Sequence, residues 1–123
     1  PTESRHRMHE KSEDADGLLR GVPIGAGIVE GRVAVVLGME DIGKVRQGDI
    51  LVTAVIDPGM ATLFGLAGGL IADMGGTLSH GAIIVREYGI PAIVNVFHGT
   101  RILKDGERVK LNATAGLVYR ASA

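Results

Sequence analysis

Glycine is the residue type that most constrains how this chain can fold. It accounts for 19 of the 123 residues, roughly twice its usual share of about 7%. The glycines follow no three-residue period, so a collagen-like helix is excluded. Because glycine adopts backbone conformations that other residues avoid and allows close approach to the backbone, the chain is predicted to be compact and rich in tight turns.

The overall composition indicates one folded domain and excludes several classes of partner. Hydrophobic residues make up 46% of the chain and charged residues 22%, which is typical of a folded protein with a modest core. The formal net charge is -1, with two tyrosines, two phenylalanines and no tryptophan, so neither nucleic acid nor an anionic membrane surface is expected as a partner. The longest nearly apolar run, 60–72, is too short and too rich in glycine to span a membrane.

Cysteine is absent from the sequence. Disulfides and thiolate metal sites are therefore excluded, and the composition is consistent with a cytoplasmic location. The first 17 residues mix both charge signs and contain one large apolar side chain, Met8, which is typical of a disordered arm or linker. His6 and His9 lie there in no spacing typical of a metal site. We expect an arm over 1–17 and one folded domain over 18–123.

The pattern beyond residue 18 predicts a mixed α/β fold of short elements. Apolar, β-branched runs bounded by turn residues predict strands over 28–37, 50–56, 70–74, 92–96, 108–111 and 117–119. Asp57 followed by Pro58 is a typical helix start and predicts a short helix to about residue 66. A second helix is predicted over 80–88, with Ser79 as its N-cap and Gly89 in the left-handed conformation after its end.

The chemistry is concentrated just before and within this second helix. Gly75 and Gly76 let a ligand approach the backbone closely, and the hydroxyls of Thr77 and Ser79 flank the turn. His80 then lies where free N–H groups and the helix dipole favour a bound anion. A neutral imidazole there is a nucleophile available near neutral pH, and its phosphorylated form would accept hydrogen bonds from N–H and hydroxyl donors. The pattern favours a histidine that carries a phosphoryl group.

Around His80 the sequence resembles the phosphohistidine site of the phosphoenolpyruvate-utilising enzymes. The residues that match are Gly75, Gly76, His80, Ala82, Ile83, Ile84, Val85, Arg86, Gly89, Pro91 and Ala92. Similarity continues through 25–33, 48–52, 57–58, 105–109 and 116–118, so it covers nearly all of the chain from 18 to 120. The resemblance implies the family's swivelling β/β/α domain, an α/β fold with the phosphohistidine at the start of a short helix.

Two positions depart from the family pattern. Leu78 stands where many members have threonine, and Gly81 stands where many have alanine, serine or threonine. These departures place the sequence closer to the rifampicin phosphotransferase-like and phenylphosphate synthase-like branches than to Enzyme I of the sugar phosphotransferase system.

The resemblance also implies a mechanism. In members such as phosphoenolpyruvate synthase and pyruvate phosphate dikinase, a nucleotide-binding, ATP-grasp-like domain transfers a phosphoryl group from ATP to Nε2 of the histidine that matches His80. The mobile domain then carries the group to pyruvate or another acceptor on a second domain or subunit. The residues expected to support the phosphate are Gly75, Gly76, Thr77, Ser79 and Arg86. ATP and Mg²⁺ are expected on the partner domains, and no cofactor or metal on this chain.

Several alternatives remain open from the sequence. The domain could be an Enzyme I-like carrier driven by phosphoenolpyruvate, or a binding or regulatory module in which His80 is never phosphorylated. Arg86 could face a partner or donor phosphate, or only compensate the dipole at the helix C-terminus. His98 is predicted to be an ordinary loop histidine. Gly25 and Gly27 lack the spacing and the following helix of a dinucleotide-binding motif, which is therefore rejected.

Overall fold

Eight strands and three α-helices form the described part of the chain, which comprises residues 18–56, 58–74 and 78–120 of a computed structural model. The strands are β1 (Leu18–Arg20), β2 (Val22–Gly25), β3 (Ile28–Val36), β4 (Ile50–Thr53), β5 (Gly69–Ala72), β6 (Ala92–Val94), β7 (Arg108–Asn112) and β8 (Leu117–Arg120). The α-helices are α1 (Ala61–Phe64), α2 (Leu78–Tyr88) and α3 (Gly99–Ile102), and 3-10 helices lie at Met39–Lys44 and Pro58–Met60. None of the described helices is long and apolar enough to cross a membrane.

The strands pair in the order β1-β8-β7-β3-β4-β5-β6-β2. The long strand β3 belongs to two differently built regions. Its residues 28–32 pair antiparallel with β7, and its residues 33–36 pair parallel with β4. We call β1, β8, β7 and residues 28–32 the antiparallel half. Residues 33–36 with β4, β5 and β6, and with β2 antiparallel at the edge, are the parallel half.

The two faces of the parallel half are covered by different layers. On one face, Ile50 of β4 shares a buried core with Leu111 of β7, so the antiparallel half folds over this side. On the opposite face, Leu51 packs in a second core with Phe64 of α1 and Val85 of α2. The layer order is therefore sheet, sheet, helices, which confirms the predicted β/β/α fold class.

The first described residues connect the two edges of the sheet. β1 pairs with β8 at one edge, and β2 pairs with β6 at the other. Gly21 lies between β1 and β2, and its N–H donates to the carbonyl oxygen of Gly116 at 2.9 Å. A single short segment therefore ties the antiparallel half to the far edge of the parallel half.

The six predicted strands are all present, with shorter ends in the parallel half. β4 ends at Thr53 rather than at residue 56, because the Thr53 hydroxyl donates to the carbonyl oxygen of Val55 and the chain turns there. β5 and β6 each end two residues before the predicted position. Past β4 the apolar run continues to Ile56, and past β5 and β6 one polar residue is followed by another apolar one. Hydrophobicity alone therefore placed these strand ends too late.

Both predicted helices are present, with bounds that differ from the predicted ones. The first predicted helix is a 3-10 turn, Pro58–Met60, followed by α1, which ends at Phe64; its predicted cap, Asp57, lies outside the described residues. Gly89 follows α2 in the predicted left-handed conformation, with φ of 66°. The elements that the sequence did not predict are β1, β2, the 3-10 helix Met39–Lys44 and α3.

Candidate functional site

The helix that carries His80 connects two neighbouring parallel strands. β5 precedes α2 and β6 follows it, and Leu70 and Ile71 lie opposite Ala92 and Ile93 in a parallel register. In a β-α-β unit the helix begins beyond the carboxyl end of the first strand, and this edge is where open α/β sheets bind ligands. The third residue of α2, His80, is therefore placed at the edge of the sheet best suited to a site.

α2 begins two residues earlier than predicted. It starts at Leu78, so Ser79 lies within the first turn and its predicted role as the N-cap is wrong. Thr77 and Ser79 are both residue types that favour the N-cap position, and the sequence alone does not choose between them. His80 remains in the first turn, where the first four backbone N–H groups of a helix have no acceptor within the helix.

The structure describes three of the six predicted site residues. Ser79, His80 and Arg86 lie on α2, whereas Gly75, Gly76 and Thr77 lie outside the described residues. The roles of all six toward a phosphoryl group stay predictions.

Arg86 occupies the last turn of α2 and is exposed. It follows His80 by six positions, which corresponds to about 9 Å along the helix axis at roughly 1.5 Å per residue. At about 3.6 residues per turn, six positions also place the two residues about 120° apart around the helix. The helix therefore does not direct Arg86 towards His80, and its predicted contact would have to be with a partner or with a donor phosphate held by one.

Asp73 fixes the chain immediately before the glycine pair. Its N–H donates to the carbonyl oxygen of Thr53 at 3.0 Å, and the N–H of Met74 donates to that of Ala54 at 2.9 Å. The Asp73 carboxylate accepts bonds from the Thr100 N–H at 2.8 Å and from the Thr100 hydroxyl at 2.6 Å. Asp73 was not predicted from the sequence, although an acidic residue between an apolar strand and two glycines was an available signal.

The second half of α2 packs tightly against the sheet. Val85 is fully buried, and Tyr88 meets Phe64 edge to face with ring centroids 5.8 Å apart. Gly25 of β2 permits this packing, because a Cβ there would lie 2.6 Å from Val85 Cγ1 and 2.5 Å from the carbonyl oxygen of Ile90. The helix that carries His80 is thus held against the sheet from Val85 onward.

The loop after β6 contains two residues in the left-handed region that are not glycine. Asn95 has φ of 60° and His98 has φ of 63°, a conformation uncommon for residues other than glycine and tolerated best by asparagine, aspartate and histidine. His98 is exposed and precedes α3 without a side-chain hydrogen bond that caps that helix. His98 therefore lies in a loop, as predicted.

Three charged residues with shifted pKa values form a cluster away from α2. Lys44 Nζ lies 2.8 Å from Asp105 Oδ2 and 3.3 Å from Asp41 Oδ1. The hydrogen bond from Lys44, followed by that from the Val35 N–H, lowers the pKa of Asp105, and the same bond to Asp105 raises the pKa of Lys44. The pKa of Asp41 is lowered mainly by the N–H of Leu37. These contacts tie the 3-10 helix Met39–Lys44 to the turn before β7.

The described residues contain no group of three or more histidine, aspartate or glutamate side chains that could hold a metal ion. The one carboxylate among them that is buried, Asp49, accepts hydrogen bonds from Arg32 Nη2 at 2.8 Å and from the Arg46 N–H at 2.9 Å. A buried carboxylate neutralised by an arginine in this way is a structural link. Asp49 therefore joins β3 to the loop before β4.

A family model matches more than half of the chain. The family model described as the PEP-utilising enzyme, mobile domain, matches residues 45–116. This span contains β4, β5, β6 and β7 and all of α2, including His80.

Two relatives and one solved structure are also similar to this chain. Rifampicin phosphotransferase of Bacillus cereus is 48% identical over 98 residues, which are 80% of this chain and 11% of that protein. The phosphoenolpyruvate synthase of Pyrococcus furiosus is 41% identical over 111 residues, 90% of this chain and 14% of that protein. A solution structure of an Enzyme I protein has a TM-score of 0.58 at 24% identity and covers 67% of this chain and 34% of its own. The chain thus spans between 11% and 14% of the length of these two relatives.

Proposed function

Because the chain belongs to the family of the PEP-utilising enzyme mobile domain, we propose that it receives a phosphoryl group on His80 and delivers it to a small acceptor. A phosphoryl-carrier domain is the general role that membership of this family supports. The observation that carries the proposal is the place of His80 in the first turn of α2, at the carboxyl edge of the parallel half and inside the matched span.

The proposed chemistry is nucleophilic catalysis by a neutral imidazole. Nε2 of His80 attacks the phosphorus of ATP, the N–P bond forms, and the bond from phosphorus to the leaving nucleotide oxygen breaks. In the second transfer an acceptor oxygen attacks the same phosphorus, and the ring recovers the electron pair of the N–P bond. Histidine ordinarily titrates close to neutral pH, so the neutral ring that acts as the nucleophile is available there.

The start of α2 supports the charge changes of this cycle. The unpaired N–H groups of a first helical turn stabilise an anion and disfavour a protonated imidazole. Both effects favour the proposed states, which are a neutral ring before transfer and a negatively charged phosphoryl group after it. In the proposal, further donors come from Gly75, Gly76, Thr77 and Ser79, and Arg86 acts from outside on the donor or partner.

The nucleotide and the acceptor are proposed to lie on other domains. The chain spans only 11% of Bacillus cereus rifampicin phosphotransferase, and its described residues show no cluster that could hold a metal ion. ATP with Mg²⁺ would therefore occupy a nucleotide-binding, ATP-grasp-like domain. The names of the two relatives suggest rifampicin and pyruvate as the first acceptors to test.

The direct test is phosphorylation of the full polypeptide that contains this sequence. Incubation with ATP and Mg²⁺ should add one phosphoryl group per chain, measured by intact mass, and acid should remove it as expected for an N–P bond. His80→Ala should abolish the added mass, whereas His98→Ala, which removes an exposed histidine at the same edge of the sheet, should leave it unchanged. An adduct that persists in His80→Ala would overturn the assignment.

The same measurement separates the alternatives. Labelling by phosphoenolpyruvate and not by ATP would indicate the Enzyme I-like circuit. A chain that no phosphoryl donor labels, in the presence of its own partner domains, would instead be a binding or regulatory module on the same fold.

A further inference from the structure

Asp73 joins the loop that leads into α2 to the loop that follows β6. Its carboxylate lies just after β5 and accepts two hydrogen bonds from Thr100, in the first turn of α3. Oδ1 accepts from the Thr100 N–H at 2.8 Å, and Oδ2 accepts from the Thr100 hydroxyl at 2.6 Å. Because each oxygen has its own donor, the link fixes the orientation of the carboxylate as well as its position.

The loop after β6 is shaped to bring Thr100 against this carboxylate. The N–H of Val96 donates to the carbonyl oxygen of Ala72 at 3.1 Å, which joins the loop to the end of β5. Gly99 then leaves room for the carboxylate, because a Cβ there would lie 3.0 Å from Asp73 Oδ1. The two loops are therefore in direct contact through both backbone and side chain.

The same loop holds a costly backbone conformation. Asn95 and His98 both lie in the left-handed region, with φ of 60° and 63°. Residues other than glycine stay in such conformations only where the surrounding structure imposes them, and these residues cluster at functional sites. Their occurrence beside the loop that leads to His80 indicates a role in function beyond connecting β6 to α3.

The position of Asp73 reaches His80 through a short stretch of chain. Met74 is bonded through its N–H to the loop after β4, and three residues separate it from Leu78, where α2 begins. Packing of Val85 fixes the second half of the helix. The first turn, in which His80 lies, is a helix end, and helix ends fray unless they are held. Its position therefore depends on the chain that enters it.

We propose that Asp73 is a positioning residue for phosphoryl transfer at His80 and that it acts through its two bonds to Thr100. This inference rests on the proposed function. Phosphoryl transfer requires the attacking and leaving atoms to be roughly in line, and a misplacement of about 1 Å can lower a rate by about a hundredfold. Asp73 acts on the chain that presents His80 and not on the transferred group.

The test measures the rate at which ATP labels His80 in the full polypeptide, over a series of ATP concentrations. Asp73→Ala removes both bonds and should lower the maximal rate by at least about tenfold. The KM for ATP should change little, because the nucleotide is proposed to bind on another domain. Thr100→Val loses only the hydroxyl bond and should lower the maximal rate by about threefold. The double variant should be no slower than Asp73→Ala, since the two residues share one interaction.

Asp73→Asn separates the position of the side chain from its charge. An asparagine amide can accept from the Thr100 N–H and donate to the Thr100 hydroxyl, so both contacts remain while the negative charge is lost. The maximal rate should stay within about threefold of that of the unsubstituted protein. A rate as low as that of Asp73→Ala would mean that His80 requires the charge of Asp73, and the positioning role would be wrong.

Asp105→Ala is the matched control for a loss of stability. Asp105 also bridges separate elements, because it accepts hydrogen bonds from the Val35 N–H at 2.7 Å and from Lys44 Nζ at 2.8 Å, but it lies in the turn before β7. Its loss should change the maximal labelling rate by less than about twofold. Urea unfolding gives the folded fraction of each variant. If Asp105→Ala slowed labelling as much as Asp73→Ala, loss of stability would explain both effects and the proposal would be overturned.

The outcomes distinguish this proposal from the proposed function. If Asp73→Ala does not fold, Thr100→Val and the rescue by Asp73→Asn decide the question. Labelling of both Asp73→Ala and Thr100→Val at the unsubstituted rate would refute the positioning role and leave the proposed function intact. If no phosphoryl donor labels the unsubstituted protein at His80, the proposed function fails, and the positioning role fails with it.

Discussion

The parallel half and the antiparallel half bury their strands differently. Every residue of β4 and of β5 is buried, whereas β7 alternates, with Arg108 and Lys110 exposed and Val109 and Leu111 buried. The parallel strands lie between two layers, the antiparallel half on one face and the helices on the other, so both of their faces require apolar side chains. The antiparallel half covers the core with one face only.

The two halves also differ in whether they contain the proposed site. The three predicted site residues that the structure describes, Ser79, His80 and Arg86, lie on α2, which connects two strands of the parallel half. The antiparallel half contributes none of them. It supplies one wall of the core.

The largest expected effect tests this difference in burial directly. Ile50 and Leu51 are adjacent in β4, are fully buried and belong to the two opposite cores. Ile50→Ala and Leu51→Ala should therefore each lower the free energy of unfolding by about 2–5 kcal/mol. In β7 the loss of unfolding free energy should alternate along the strand. Leu111→Ala should lower it by about as much as the β4 variants do, whereas Lys110→Ala should change it by no more than about 0.5 kcal/mol.

Urea unfolding followed by circular dichroism measures all four variants, with the denaturant slope checked for two-state behaviour. A small effect at either Ile50 or Leu51 would mean that β4 is covered on one face only. An effect at Lys110 comparable to that at Leu111 would mean that β7 is buried on both faces. Either result would contradict the three-layer arrangement.

A smaller effect is expected at the junction of the two halves. Gly31 lies in β3 just before the strand changes partners from β7 to β4, and a Cβ there would lie 2.8 Å from the carbonyl oxygen of Gly48 and 3.3 Å from Ile50 Cγ1. Because the nearer atom belongs to the backbone, Gly31→Ala should destabilise the fold by about 1–3 kcal/mol. In Gly43→Ala, the matched control, the new Cβ would have no atom within 4 Å other than those of its own helical turn.

The control should be neutral or should stabilise the protein by up to about 1 kcal/mol, because alanine restricts the unfolded chain. Thermal unfolding of the two variants gives the comparison. Equal melting temperatures for Gly31→Ala and Gly43→Ala would show that β3 passes between the halves without a tight contact at residue 31.

The sequence predicted best those elements that are specified locally. The continuous apolar runs gave β4, β5 and β6, and the glycine at the end of α2 was placed in its observed conformation. β1 and β2 were missed because they have three and four residues, and Pro23 interrupts the second. They become strands only because β8 and β6 offer partners at the two sheet edges, which lie far away in the sequence.

In the candidate site, too, locally specified features were predicted and features that depend on distant residues were not. His80 and the residues around it were predicted because they form one continuous motif. The bonds from Thr100 to Asp73 join residues 27 positions apart. The exposed apolar side chains at the same edge come from four separate loops, those of Leu37, Val55, Met74 and Phe97. Their proximity follows from the order of the strands in the sheet, which no local pattern specifies.

The smallest expected effect concerns the charged cluster that links the two halves. Asp105, in the turn before β7, accepts hydrogen bonds from the Val35 N–H at 2.7 Å and from Lys44 Nζ at 2.8 Å. The pKa values of Asp105 and Asp41 are lowered in the folded protein, chiefly by Lys44 for Asp105 and by the Leu37 N–H for Asp41. A lowered carboxyl pKa contributes stability above its unfolded value of about 3.9, and that stability is lost as the pH falls through the folded value.

The stability that Lys44 contributes depends on pH in the opposite sense. Its pKa is raised by the bond to Asp105, so its contribution is present below the unfolded value of about 10.4 and is lost as the pH rises through the folded value.

Lys44→Met should therefore reduce stability near pH 6 by less than Gly31→Ala does, because the groups are partly exposed and solvent screens them. The loss should shrink as the pH falls below the unfolded carboxyl value of about 3.9, and it should also shrink in 1 M salt. Urea unfolding at pH 3 and pH 6 measures it, with Lys110→Met as the control for removing an exposed lysine. A loss that is equal at the two pH values would show that Lys44 acts through packing of its aliphatic chain, and the charged link between the halves would then contribute nothing to stability.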